Sequence, residues 1–270
     1  MRKYVIISAF AMALGISCAT NPFTGKKTLN FVSNDQIFPM AFAQYKQFLT
    51  ENKVVSGSGA AQQVQTVGNK IRIAAEKYLN SLGQKEYLNG YAWEYKLVEN
   101  KEVNAWCMPG GKIVVYSGIL PVTKDEAGLA TVLGHEVSHA LANHGAQRMS
   151  ADQLQQLVGI GVGAAVSGQS QEKQAIFSQA YGLGSTLLVT LPFSRSNESE
   201  ADEIGLTLMA IAGYNPDQAI TFWQRMSAQG GGAPPEFLST HPSDATRIRD
   251  LKRLIPQAKA TAAKFGVVYK

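Results

Sequence analysis

An apolar stretch from Leu129 to Ala142 contains the sequence His-Glu-Val-Ser-His at positions 135 to 139. Apolar residues recur through this stretch at helical spacing, which predicts a buried helix. On a helix, positions i and i+4 lie on one face, with Cβ atoms about 6 Å apart. The side chains of His135 and His139 can therefore bind one Zn²⁺ through ring nitrogens at about 2.0–2.1 Å. Glu136 lies one position round from His135, where it can take a proton from the attacking water.

The alternative interpretation is a buried helix that carries two ordinary histidines. Thr123 and Glu126 form a T-x-x-E capping box, which predicts a helix start just before the motif. The chain has 4 histidines, and three of them lie between positions 135 and 144. A buried Glu136 between two buried histidines costs free energy unless a partner compensates, and a metal ion compensates well. These features favour the zinc site.

A catalytic zinc site needs three protein ligands and one open position. His144 is five residues beyond His139, about 140° round the helix, which predicts a supporting or surface position for it. Glu198 and Asp202 lie four residues apart at the start of a second predicted helix, so they share a face. One carboxylate can bind zinc, and the other can accept the free N–H of a ligating histidine. Glu200 points away from that pair, which predicts a solvated acid in the first turn.

The run H-E-V-S-H-A-L-A-N-H, followed downstream by N-E-S-E-A-D, resembles the gluzincin zinc metalloproteases of the HtpX and CAAX-prenyl-protease type. It is more similar still to their compact relatives, the periplasmic lipoprotein proteases of bacteria. The resemblance covers about residues 60 to 255. It implies a zinc-dependent endopeptidase with one Zn²⁺ per chain, held by His135, His139 and Glu198, with Asp202 supporting a ligating histidine.

A first further segment matches the same family. Asn104 and Ala105, followed by a glycine pair at positions 110–111, resemble the strand that lines the cleft and binds substrate backbone. The residues alone predict a strand that enters a tight hairpin. The two interpretations are compatible, because an edge strand with free N–H and C=O groups is suited to hold an extended peptide.

A second further segment contains His241 and Arg247, which in the family project toward the scissile bond. The resemblance implies that this His can occupy the open zinc position in a resting enzyme. It also implies a mechanism in which Glu136 takes a proton and delivers it to the leaving amine, while His241 or Arg247 helps stabilise the oxyanion. From the residues alone, Ser243 can equally be the N-cap of a helix over residues 244–254.

The N-terminus predicts an export signal. Arg2 and Lys3 form a basic start, and the apolar stretch that ends at Ile16 is too short to span a bilayer. The stretch resembles a bacterial lipoprotein signal, with Cys18 as the lipidated N-terminus; an ordinary secretory signal cut nearby is the alternative. These features predict a periplasmic protein of the bacterial cell envelope. Its lipid anchors it to a membrane, and the absence of Asp at position 19 favours the outer membrane.

The predicted organisation is a signal peptide over 1–17, a lipidated tether over 18–33 and a single metalloprotease domain over 34–270. Removal of the signal lowers the formal charge from +5 to +3. No cluster of Lys and Arg accompanies interleaved aromatic residues, which excludes the nucleic-acid-binding classes. With Cys18 acylated, Cys107 has no partner for an internal disulfide.

The predicted fold class is α+β, a mostly helical zincin-like domain with a small three-stranded sheet beside the active-site helix. A strand over 91–99 pairs with a hairpin at 103–116, and the chain is helical from position 123 onward. The apolar, glycine-rich segment at 150–190 forms either buried helix near the active-site helix or a membrane-facing or lid hairpin.

The expected function is zinc-dependent hydrolysis of peptide bonds in misfolded or misassembled envelope proteins, a substrate class that the resemblance implies. The expected partners are proteins or peptides in extended conformation and, through the lipid, a membrane. The alternative is a non-proteolytic envelope assembly factor that binds unfolded strands, with a structural zinc site closed by four protein ligands. The sequence does not predict an oligomeric state.

Overall fold

The computed structural model describes residues 18–166, 194–229, 236–241 and 245–269. The strands in these ranges are β1 Cys18–Thr20, β2 Lys27–Leu29, β3 Val54–Val55, β4 Glu94–Val98, β5 Ala105–Met108 and β6 Lys112–Tyr116. The helices are α1 Asn34–Glu51, α2 Gly59–Ser81, α3 Leu120–Thr123, α4 Glu126–Leu141, α5 His144–Val166, α6 Arg195–Ile211, α7 Gln218–Ala228, α8 Glu236–Thr240 and α9 Ala245–Ala263. The predicted α+β class, mostly helical with small sheets, is confirmed.

The larger sheet has four strands within the described ranges, not the predicted three. Their order is β3-β4-β6-β5. The additional strand, β3, pairs antiparallel with β4 and contains only two residues, so it is too short to show an alternating pattern in the sequence. β4 and β6 run parallel, and β5 pairs antiparallel with β6. β5 therefore lies at one edge of this sheet.

Helix α4, which carries the His-Glu-Val-Ser-His motif, lies in the main hydrophobic core. Every residue from Gly128 to Leu141 is buried, and the helix packs against α2, α6, α7 and β5. At its C-terminal end, the Tyr87 hydroxyl donates to the carbonyl of Leu141, and the Tyr91 hydroxyl donates to the carbonyl of Ala140 at 3.1 Å. These bonds satisfy carbonyls that have no partner inside the helix, so they fix the end of α4 next to the motif.

The predicted capping box at the start of α4 is wrong. Asp125 is the N-cap, and its carboxylate accepts a hydrogen bond from the N–H of Gly128 at 2.8 Å. Thr123 ends the preceding helix α3, and its hydroxyl donates to the carbonyl of Leu120. The chain turns sharply between the two helices at Lys124, where φ is 65°, and this extra turn moves the helix start two residues downstream.

Helices α4 and α6 approach each other closely at a pair of glycines. A Cβ on Gly134 would lie 2.9 Å from the carbonyl oxygen of Gly205, and a Cβ on Gly205 would lie 2.9 Å from the carbonyl carbon of Gly134. Real Cβ atoms do not approach backbone atoms this closely, so both positions need glycine. The close approach brings the first turns of α6 alongside the motif in α4.

We expect Gly205→Ala to lower the free energy of unfolding by about 1–3 kcal/mol, because the added methyl group forces α6 away from α4. The same shift moves Glu198 away from His135 and weakens zinc binding. Denaturant unfolding and a competition titration for zinc measure the two effects. Gly59→Ala is the matched control, since a Cβ at that position meets nothing within 4 Å. Equal behaviour of the two variants would contradict this role for the glycine pair.

Residues 18–29, predicted as part of an extended tether, form a hairpin in which β1 pairs antiparallel with β2. In the turn, Oδ1 of Asn21 accepts a hydrogen bond from the N–H of Phe23 at 2.9 Å. The Phe23 ring packs against Tyr78 and Tyr87, with ring centroids 5.4 and 6.4 Å apart. The hairpin is therefore docked on the rest of the fold. A polar sequence with one aromatic residue does not reveal such docking.

Several predictions concern residues outside the described ranges. The proposed signal peptide over 1–17 lies there, as does most of the 150–190 segment, of which α5 covers the part up to Val166. The predicted N-cap Ser243 also lies there. Among the helices that the structure does describe, none combines the length and apolar character needed to cross a bilayer.

Candidate metal centre

Four buried side chains converge within the described ranges: His135, His139, Glu198 and His241. Their ligand atoms all lie within 4.8 Å of one another, and each residue is only 2–4% exposed. The two motif histidines come from one face of α4. Ser194 caps α6 by accepting the N–H of Asn197 at 3.2 Å, which places Glu198 in the first turn of that helix. His241 directly follows α8.

The distances inside this cluster fit a small four-coordinate cation. In a tetrahedral zinc site with bonds of about 2.0–2.1 Å, neighbouring ligand atoms are about 3.3 Å apart. Nε2 of His135 lies 3.1 Å from Nε2 of His139. It lies 3.2 Å from Nδ1 of His241 and 3.3 Å from Oε2 of Glu198. The other carboxylate oxygen, Oε1, lies 3.3 Å from Nε2 of His139 and 3.0 Å from Nδ1 of His241. The donor set is that of a zinc site.

Asp202 lies behind His135 on the side away from the cluster. Its Oδ1 is 2.9 Å from Nδ1 of His135. Since Nε2 faces the cluster, Nδ1 carries the proton and donates to this carboxylate. Nη2 of Arg247 donates to the same oxygen at 2.6 Å, and Nη1 donates to Glu198 at 3.4 Å. The guanidinium carbon lies 3.5 Å from the ring centroid of Trp223. Arg247 therefore contacts both acids, and its contact with the scissile bond stays a prediction.

The electrostatics of the cluster favour positive charge. Burial lowers the pKa of the His135 imidazole, but Glu198 and Asp202 outweigh burial and raise it to about 9. Burial raises the pKa of Glu198, but His135 and hydrogen bonds from His135, His139 and His241 hold it far below its usual range. Buried carboxylates that lack enough positive charge around them attract a cation. A divalent metal ion supplies this positive charge.

Glu136 lies beside the cluster with one oxygen unsatisfied. The residue is 2% exposed, and its buried Oε1 accepts no hydrogen bond from the described residues. Nε2 of His241 lies 3.4 Å from this oxygen. Burial raises the pKa of Glu136, and His241, His135 and the nearby backbone N–H of Cys107 oppose this rise. A buried carboxylate with a spare acceptor and a raised pKa is suited to general-base chemistry.

The free edge of β5 faces the motif helix. The N–H of Tyr116 donates to the carbonyl of Asn104 at 3.1 Å. Hydrogen-bonded and non-hydrogen-bonded pairs alternate along an antiparallel ladder, so Ala105 and Cys107 direct their N–H and C=O groups away from β6. The N–H of Cys107 lies on the side of Glu136 of α4, and the N–H of Ala105 donates to Oδ1 of Asn104 at 2.8 Å. Asn104 and Ala105 thus lie at the start of this edge, on a strand that packs against the motif helix; their contact with substrate stays a prediction.

Helix α8 positions His241, the fourth residue of the cluster. The N–H of Phe237 donates to the carbonyl of Val103, just before β5, at 3.2 Å. The Phe237 ring is fully buried and lies 5.7 Å from the ring of Trp223 and 4.8 Å from that of His241. The five-residue segment from Phe237 to His241 therefore packs at one end of the β5 edge.

The surroundings of Glu200 were not predicted. The expectation of a solvated acid is wrong, because Glu200 is only 5% exposed and the N-terminal hairpin covers it. His144 is fully buried, and its Nδ1 lies 2.9 Å from Nδ1 of His139. The run of acids at Glu198, Glu200 and Asp202 was the available signal. Helix periodicity could not show that a segment almost two hundred residues earlier covers the middle one.

A match to a protein family and matches to individual proteins agree with each other. The model of peptidase family M48 matches residues 63–255. The mitochondrial metalloendopeptidase OMA1 of Schizosaccharomyces pombe is 32% identical over 240 residues, which cover 88% of this chain and 66% of that protein. The beta-barrel assembly-enhancing protease of Yersinia pestis is 32% identical over 194 residues, which cover 68% of this chain and 39% of that protein. The chain thus spans between about two fifths and two thirds of the length of these relatives.

Proposed function

Because the chain belongs to peptidase family M48, we propose that it is a zinc-dependent endopeptidase that cleaves misfolded or misassembled proteins of the bacterial cell envelope. The observation that carries the proposal is the cluster of His135, His139, Glu198 and His241 beside the unsatisfied carboxylate of Glu136. Bound Zn²⁺ supplies Lewis acidity, which polarises a peptide carbonyl and lowers the pKa of water.

The positions of the side chains around the metal site suggest a role for each of them. His135, His139 and Glu198 would hold the ion, and Asp202 orients His135. Glu136 would accept a proton at Oε1 from the attacking water and then deliver it to the leaving amine. The burial of Glu136 excludes competing water from its carboxylate.

The edge of β5 provides the substrate-binding surface in this proposal. An extended peptide can donate hydrogen bonds to the outward-directed carbonyls of Ala105 and Cys107 and so add a strand to the sheet. The side chain of Asn104 fixes the N–H of Ala105, which sets the hydrogen-bonding pattern of this edge. Unfolded chains present continuous extended backbone, whereas folded proteins do not. Strand addition therefore favours substrates that are unfolded or not yet folded. One relative is named for enhancing beta-barrel assembly, which also supports this substrate class.

With zinc bound, His241 would be a fourth protein ligand, whereas a catalytic zinc site keeps one position for water, so we assign this arrangement to a resting state. Activity then requires His241 to leave the cluster together with α8, which also uncovers the end of the β5 edge. In this proposal the displaced His241 helps to stabilise the oxyanion, as the family resemblance implies. In this scheme Arg247 keeps Glu198 and Asp202 in place.

The lipid at Cys18 gives the protein its location. β1 begins at Cys18, and its hairpin is docked on the fold, so an acylated Cys18 would hold the domain close to the membrane surface. We propose a periplasmic position at the outer membrane. Relatives from Yersinia pestis and Escherichia coli that support this position are named beta-barrel assembly-enhancing protease.

The alternative function is a non-proteolytic assembly factor with a structural zinc ion. The observation in its favour is that His241 completes a set of four protein ligands, which is typical of structural zinc sites. Such a factor would bind unfolded strands along β5 without cleaving them.

Cleavage of labelled casein tests the proposal against this alternative. We expect the purified protein to cleave casein, a chelator to abolish cleavage, and one equivalent of Zn²⁺ to restore it, because the ion supplies the Lewis acidity. Chelator already saturated with zinc is the control and should leave the rate unchanged. His241→Ala is assayed in parallel, since it removes the side chain that fills the fourth position. Zinc-loaded wild type and His241→Ala that both leave casein intact would favour the assembly factor.

A further inference from the structure

A second line of hydrogen bonds connects the metal centre to the N-terminal hairpin. Nδ1 of His139 lies 2.9 Å from Nδ1 of His144, and Nε2 of His144 lies 3.2 Å from Oε2 of Glu200. These three residues are at most 5% exposed. A buried polar network is stabilising only when each donor meets an acceptor, so the proton positions along this line are constrained.

The direction of the hydrogen bonds follows from the ligand geometry. His139 presents Nε2 to the cluster, so its proton is on Nδ1. Nδ1 of His144 must then accept the hydrogen bond that the Nδ1–H of His139 donates. The proton of His144 must therefore be on Nε2. Nε2 donates in turn to Glu200. This single arrangement satisfies both imidazoles and fixes the ring plane of His139, as partners of ligating histidines commonly do.

The hairpin holds the carboxylate at the end of this line. Oε1 of Glu200 accepts hydrogen bonds from Nδ2 of Asn21 at 2.8 Å and from the hydroxyl of Thr24 at 2.6 Å. Oε2 accepts from Nζ of Lys26 at 2.9 Å. Burial raises the pKa of Glu200, but these donors and His144 outweigh it and lower the pKa to about 2. The N–H of Asn21 donates to the carbonyl of Lys26 at 2.9 Å, so the donors belong to one closed turn.

We propose that His144 and Glu200 are positioning residues for the metal centre, and that the hairpin at residues 18–29 orients His139 through them. His135 and His139 then have separate supports, Asp202 for the first and the His144–Glu200 pair for the second. The residues that directly follow Cys18 belong to the same network as a zinc ligand. This inference rests on the metal centre and not on the proposed peptidase activity.

Zinc affinity, measured by competition with a chromophoric chelator, tests the two positioning residues without any substrate. We expect Glu200→Ala and His144→Phe to weaken zinc binding about 10–100-fold, the usual cost of removing a partner of a ligating histidine. His144→Gln retains an acceptor for the His139 N–H and should keep most of the affinity. Glu203→Ala is the matched control, because Glu203 lies on the same helix outside this network.

A variant and a matched control test whether the hairpin contributes to zinc binding. Lys26→Ala, combined with Asn21→Ala, removes donors to Glu200 and should weaken zinc binding. Lys27→Ala removes the same charge from the neighbouring exposed position and should not. Unfolding midpoints of the zinc-free variants show whether each one is folded. Wild-type affinity in the folded Asn21 and Lys26 double variant would overturn the role of the hairpin.

Imidazole ¹⁵N NMR of the zinc-loaded wild-type protein needs no substitution. We expect His139 to carry its proton on Nδ1 and His144 on Nε2. A His144 proton on Nδ1 would overturn the proposal, as would wild-type zinc affinity in both Glu200→Ala and His144→Phe. Loss of casein cleavage with these NMR signals intact would count against the peptidase function alone.

Discussion

Replacement of Glu136 by Gln is expected to lower kcat for peptide hydrolysis by about 10²–10⁴-fold, the usual contribution of a general base, while zinc remains bound. The amide has the size of the carboxylate and keeps an oxygen that can accept the N–H of Cys107, so the local packing is preserved. It cannot take up a proton at the position of Oε1. The effect therefore isolates proton transfer from metal binding.

Kinetics on a fluorogenic peptide and metal analysis of the same preparation measure the two quantities together. Glu126→Gln is the matched control, because Glu126 lies on the same helix but its side chain is 45% exposed. We expect the control to keep the wild-type kcat. A Glu136→Gln variant that cleaves at the wild-type rate would show that another group is the base.

Substitution of Glu198 by Ala is expected to weaken zinc binding by more than about 100-fold, because loss of a residue that only orients a ligand already costs 10–100-fold. The substitution removes the single carboxylate among the four ligand residues. It also leaves three buried histidines and Arg247 with less negative charge to compensate them, so we expect a lower free energy of unfolding as well.

Competition titrations and denaturant unfolding measure these effects. Glu203→Ala serves as the control for removal of an acid from α6. Stoichiometric zinc in Glu198→Ala at wild-type affinity would remove Glu198 from the ligand set. In that event the close approach of α4 and α6 at Gly134 and Gly205 would have no function in metal binding.

The parts of the site that follow from local spacing were predictable. His135 and His139 are one helical turn apart on a stiff helix, so their shared face is fixed by the sequence alone. The same holds for Glu198 and Asp202, of which the structure places one in the cluster and the other behind His135. Prediction of the pairing between the two helices relied on a family resemblance, because spacing does not show which helices pack together.

The parts that depend on distant contacts were not predictable. Asn21 and Glu200 are separated by 179 positions, and their hydrogen bond turns an apparently solvated acid into a buried one. In the sequence, the two glycines that let α4 and α6 approach each other look like ordinary residues of low helix propensity. The contacts of Arg247 with Trp223 and with two carboxylates were likewise not visible in the sequence, and its contact with the scissile bond stays a prediction.

Zinc-edge X-ray absorption of the wild-type protein, together with its metal content, tests the central claim most directly. We predict one zinc ion per chain with only nitrogen and oxygen ligands at about 2.0–2.1 Å. Multiple scattering should indicate three imidazoles, those of His135, His139 and His241. A preparation without stoichiometric zinc, or a spectrum that requires a sulfur ligand at about 2.3 Å, would contradict the account.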